Sequence, residues 1–371
     1  MSINLCFDEA DWERIERDWD AWWAHELDRP LVVVQGWEPD PSVNYPPLHG
    51  FISNYPMEMS VEDVIAQITP HFEATRFYGD AFPKWFVNFG PGIMAEFIGA
   101  RVHSVPETVW FEPEEELHPR DIHPRHDPDN VWWRRIVDIT QAAVEIWEGK
   151  VAVSHADLGG NLDIIASLLT TEKLLFYLYD EPEEIDRLVR EVTELWLWYY
   201  EELDKIIRPK CRGTTPWAPI WSPRKTYMLQ SDFAYMISPE MFARFVMPDL
   251  IACCDHLDDG FYHLDGKGQI VHVDQLLSME RLRGIQWIPG DGQPPADQWL
   301  DLLKRIKDAG KLQQVYVSPE GAMRIVESLG GKGFVLAVNK GMNKDEADAF
   351  LKELASRDRS LRQKSASCLS T

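Results

Sequence analysis

Apolar positions recur at helical spacing near the start of the chain, with Trp12, Ile15, Trp19, Trp22 and Trp23 on one face and acidic residues between them. Pro30 ends that run. Beyond it, short β-rich segments alternate with longer stretches of helical periodicity. Strands are expected at residues 31–35, 82–89, 151–155, 217–221, 261–265, 284–288, 312–318 and 333–338. Helix starts are marked where proline and acids share a first turn, as in Glu181-Pro182-Glu183-Glu184, Ser238-Pro239-Glu240 and Ser318-Pro319-Glu320. The last four strands are spaced by about 20 to 28 residues, the rhythm of parallel strands joined by crossover helices.

Eight strands with intervening helices predict an α/β fold, a (β/α)8 TIM barrel with an N-terminal helical extension. The competing arrangement is a doubly wound open sheet, but no GxGxxG or Walker loop supports a nucleotide fold. One domain is expected, with residues 1–30 as the extension, 31–340 as the barrel and 341–371 as a C-terminal helix and tail that frays after Arg357. Residues 112–130, rich in proline, histidine and acids, read as a long loop.

Composition narrows the function. Hydrophobic residues make up 45% of the chain, enough for a large core without disulfides. Five scattered cysteines form neither a disulfide framework nor a metal-ligand pattern. The formal net charge of −24 repels phosphate backbones and anionic membranes, so nucleic acid and membrane are not expected partners. With no signal peptide and no membrane-length apolar run, a cytoplasmic protein acting on a small molecule is expected. The Trp-rich first helix reads mainly as packing and offers a candidate homodimer interface.

Two strand-like runs end in His-x-Asp followed by glycine: His155-Ala156-Asp157 before Gly159, and His263-Leu264-Asp265 before Gly266. Residues two apart on a strand share a face, so each pair is expected side by side, as a metal or proton-transfer site or as a hydrogen-bonded structural pair. Barrel function collects at the C-terminal ends of strands, which also brings in Asn88, Trp221 and Asn339. Trp217, Trp221 and Tyr235 either line a pocket for a flat or cationic group or pack the barrel. The histidines of His118–His126 lie in a proline-broken polar loop, and Cys253-Cys254 reads as helix packing.

Ser231-Asp232-Phe233-Ala234-Tyr235-Met236-Ile237-Ser238-Pro239-Glu240-Met241-Phe242, running on to Val246-Met247-Pro248, resembles a signature of the uroporphyrinogen decarboxylase superfamily. The segments Gly159-Gly160 to Glu183 and His263-Leu264-Asp265-Gly266 to Leu277 are similar to the same family. The resemblance implies a (β/α)8 barrel. True uroporphyrinogen decarboxylases carry an arginine-rich loop after the first strand, where this chain has Gln35-Gly36-Trp37-Glu38-Pro39. Without it, recognition of a substrate with many carboxylates is physically unattractive. The other large branch comprises corrinoid-linked methyltransferases, whose thiol-methylating members bind zinc through His-x-Cys and a later Cys. Here His263 matches the histidine, Asp265 replaces the first cysteine, and Asn339 marks a last strand without one.

The expectation is a corrinoid- or pterin-linked methyltransferase, with a corrinoid (held by a corrinoid protein) or tetrahydrofolate as methyl carrier and a divalent metal such as zinc at His263 and Asp265. Catalytic roles are expected for His263, Asp265, Asp232 and Tyr235, and substrate binding for His155, Asp157, Asn88, Trp221 and Asn339. The alternatives are a decarboxylase of a small or porphyrin-like carboxylic acid and a non-catalytic ligand-binding barrel.

Overall fold

The computed structural model describes residues 3–368. Helix α1 (Glu9–Trp23) follows from the first apolar stripe, and Asp8 caps it by accepting from the Asp11 backbone N–H. All four of its tryptophans are buried. Trp19 and Trp23 donate their indole N–H groups to the carbonyls of Asp80 and Trp221. These rings pack inside the chain.

Eleven strands follow among the described residues: β1 (Leu31–Trp37), β2 (Thr75–Gly79), β3 (Lys84–Trp85), β4 (Ala100–Val105), β5 (Thr108–Pro113), β6 (Ala152–Val153), β7 (Thr226–Leu229), β8 (Asp259–Asp265), β9 (Leu282–Ile288), β10 (Leu312–Val317) and β11 (Phe334–Val338). Seven form a mixed sheet in the order β2-β1-β11-β10-β9-β8-β7. All its neighbours are parallel except β2, which runs antiparallel to β1. A parallel pair, β3-β6, and an antiparallel hairpin, β4-β5, stand apart. The protein is therefore an α/β structure with a mostly parallel sheet and an N-terminal helix.

Three expectations are corrected. Residues 217–221 are not a strand; prolines at 216, 219 and 223 remove ladder donors, and only an isolated Thr214–Ser222 bridge forms there. The strand lies later, at β7. The segments at 82–89 and 151–155 shrink to two residues each, because the Ser154 hydroxyl, not a ladder carbonyl, takes the Val87 N–H. The chain after Arg357 stays helical, in a helix that spans Lys344–Cys368.

The buried apolar residues fall into two clusters. The larger packs helices against the outer faces of the strands. The smaller joins Trp19, Trp22 and Trp23 to one face of several strands, through Val33 of β1, Ala152 of β6, Met228 of β7, Phe261 of β8, Leu312 of β10 and Val335 of β11. Helix α1 thus closes one end of a shared inner core. At Gly284 of β9 an added Cβ would lie 2.0 Å from the Phe261 ring, so this inner core requires glycine there.

Candidate active site

The opposite end carries the chemistry. Strand β8 ends in His263 and Asp265, and Gly266 (φ 77°) turns the chain away at once. After β7, a short 3-10 helix, Asp232–Met236, places Asp232 beside them. Asp232, His263 and Asp265 each offer a ligand atom within 4.8 Å of the others, and Nε2 of His263 is 3.8 Å from a carboxylate oxygen of Asp265. The expected His263–Asp265 pair therefore exists, and Asp232 completes a triad of two carboxylates and an imidazole. Tyr235 packs its ring over Gly266 and Gly268 at the edge of this group.

A chain of buried amides orients the histidine. Gln286 of β9 donates from Nε2 to Oε1 of Gln314 on β10, so its own Oε1 is free to accept from Nδ1 of His263. That assigns the proton to Nδ1 and leaves Nε2 facing the carboxylates. Burial works against charging the ring. The Asp265 carboxylate 3.8 Å away, the nearby Asp232 carboxylate and the Gln286 contact outweigh it and hold the His263 pKa above its ordinary value.

Acids crowd this end. Asp157 accepts from the Gly159 N–H and from Gln230, and burial, with Asp232 adding repulsion, pushes its pKa up to about 7. Asp163, from the helix Asn161–Leu169, accepts the backbone N–H groups of Asp232 and Phe233 (3.0 and 2.7 Å) and so fixes the 3-10 turn. Burial and mutual repulsion raise both Asp163 and Asp232. Such a crowd of disfavoured negative charges is what a bound cation relieves.

Not every expected residue joins this group. His155 and Asp157 are not side by side, because β6 stops at Val153 and the alternation of a strand does not reach them. The His155 ring instead stacks on Tyr200 (centroids 4.3 Å apart), fully buried, and desolvation drives its pKa down to about 3. Trp221 lies at the α1 end, where its carbonyl accepts from Trp23. Asn88 ties down its own loop by donating to Gly50 and accepting from the Gly90 N–H. Asn339 lines a cavity with Trp217 instead of touching the triad.

Two cavities flank the triad. One, of about 480 Å³, is lined by Asp163, Asp232, Phe233 and the β5 residues Trp110 to Pro113. The other, of about 670 Å³, opens over the ends of β1, β10 and β11. Trp217 lines it and meets the His263 ring edge to face at 4.9 Å. Sequence reading missed Gln286, Gln314, Asp163 and Lys84. A glutamine inside an apolar strand is the one signal that could have flagged the first two.

No family model matches this chain, and no curated protein matches it. A solved structure of a methyltransferase from Methanosarcina mazei is similar over 94% of this chain and 99% of that one, with a TM-score of 0.60 and 12% sequence identity. At that identity the likeness is one of fold. The class so defined is an α/β protein with the fold of an archaeal methyltransferase.

Proposed function

We propose that this chain is a methyltransferase-like enzyme in which the triad Asp232, His263 and Asp265 works between a small methylated substrate and a methyl carrier, a corrinoid or tetrahydrofolate. The observation that carries this reading is the position of the triad between two cavities: Asp232 lines one, and Trp217, against His263, lines the other. Group transfer needs two reactants on either side of one centre; a hydrolase or a lyase needs only one pocket. In this reading β1, β3, β6 and β7 to β11 complete a (β/α)8 barrel in a single domain. The inner cluster shared by six of those strands supports closure, and the site then sits at the C-terminal ends of the strands.

The donor set fits a divalent metal. Two carboxylates and an imidazole with its lone pair set by Gln286 are hard-to-borderline ligands, and no thiolate is among them, so zinc is bound less softly than by a His-x-Cys set. A metal held by Asp232, His263 and Asp265 would supply Lewis-acid polarisation of the group that gains or loses methyl. The protein residues do the rest. Gln286 holds the imidazole in one tautomer, Asp163 fixes the turn that presents Asp232, and Trp217 packs edge to face on the His263 ring. A carrier delivered by a corrinoid protein would approach the open mouth of this face.

The decarboxylase reading has one observation in its favour: lysines, not carboxylates, line the larger cavity. The test is product analysis. Demethylated product should appear only when a corrinoid or tetrahydrofolate acceptor is supplied, and His263→Ala should abolish it while leaving the fold intact. Carbon dioxide release without any acceptor would make the chain a decarboxylase. Ligand binding without turnover, unchanged in the variant, would make it a binding protein.

A further inference from the structure

We infer that the larger cavity takes a planar ligand bearing a single carboxylate, and that Lys84 is the residue that selects it. Lys84 is the first residue of β3 and lines the cavity from a half-buried position. Its ammonium donates to the Trp217 carbonyl oxygen at 2.6 Å, and among the described residues no carboxylate lies within ion-pair distance of it. In a chain with 61 acidic and 37 basic residues, that absence is unusual. Lysines this enclosed are ordinarily paired, because an unpaired buried charge is costly. Burial alone pushes its pKa down to about 7, the behaviour of an amine without a counter-ion.

The walls repeat the message. No aspartate or glutamate lines this cavity, and Lys340 is its second cation. The acids of the triad lie beyond the Trp217 ring, so the two ends of the site have opposite polarity. Trp37 and Tyr316, 50% and 39% exposed, present aromatic surface at the same cavity beside Trp217. Large exposed aromatics facing a cavity are suited to a flat ligand body. A carboxylate placed at Nζ would complete the missing ion pair next to Trp217, whose ring meets His263. One lysine at the base and one at the rim fit one carboxylate, not a polyanion.

This deepens the proposed function by naming the substrate class, and it rests on the larger cavity being a reactant site. Its test reads binding, not turnover, so the two can fail separately. Calorimetric titration of the full-length protein with 4-methoxybenzoate and with the neutral 4-methoxybenzamide compares ligands that differ only in charge. The acid should bind at least about tenfold more tightly than the amide. Lys84→Met should bring the two within about twofold, Lys84→Arg should keep the preference, and His263→Ala should keep it as well. Equal binding of acid and amide to the wild type would overturn the inference. So would an acid preference that survives in Lys84→Met, or no binding of the acid up to millimolar concentration.

Discussion

At the scale of single residues, the site turns on His263 and what holds it. Its Nδ1–H is committed to Gln286, which is committed in turn to Gln314, so the ring has one useful nitrogen left. Partners of this kind typically govern metal affinity by ten- to a hundredfold without touching the metal. Gln286→Leu is therefore expected to weaken divalent-metal affinity by about that factor, while Gln286→Glu, which still accepts from Nδ1–H, should largely restore it. Metal titration of the two folded variants reads this directly; equal loss in both would reduce Gln286 to packing. His263 and Asp265 were legible in the sequence because a histidine and an acid two apart before a glycine are chemistry-bearing types in a short motif, and Asp232 because it lies in the Ser231–Phe242 signature. Gln286, Gln314 and Lys84 were not, since each is one residue in a strand-like run and acquires its meaning only from a residue distant in sequence.

At the scale of elements, helices were legible where proline and acids share a first turn, while those at Val61–Ala74 and Val131–Ile146 were not, and strands were legible unevenly. The four parallel strands β8 to β11 were legible as apolar runs between turn signals. Strand β7 was missed because its four residues follow a stretch of prolines that drew attention to Trp217 and Trp221. The pair β4-β5 was missed because its turn, Pro106-Glu107, carries no glycine. Helix packing hides a titration as well. Asp249, on the helix Met247–His256, accepts from Thr193 of the helix Pro182–Ile207 and from Cys253, and burial pushes its pKa from 3.8 up to about 7. Between those values the folded state holds a proton that the unfolded state has lost. Stability from this group is thus present at low pH and declines as pH rises toward 7. Asp249→Asn should gain stability relative to wild type at pH 8 over pH 4.5, by up to a few kcal/mol. Urea unfolding at the two pH values checks it, and a pH-independent difference between the proteins would contradict it.

At the scale of the whole molecule, the distribution of charge matters more than its sum. The net charge is −24, yet the structure sets a lysine-lined cavity beside Trp217 and a carboxylate-rich triad at His263, which that ring meets. No helix among the described residues is long and apolar enough to cross a membrane. The likeness to the archaeal methyltransferase extends over nearly the full length of both chains, which leaves the chemistry to the residues at the strand ends. There the central claim is that Asp232, His263 and Asp265 form a metal site. Elemental analysis of protein purified without chelators, beside the His263→Ala variant, tests it most directly. The account predicts about one divalent metal per wild-type chain and its loss in a folded variant; no metal in either protein, or equal metal in both, would contradict it.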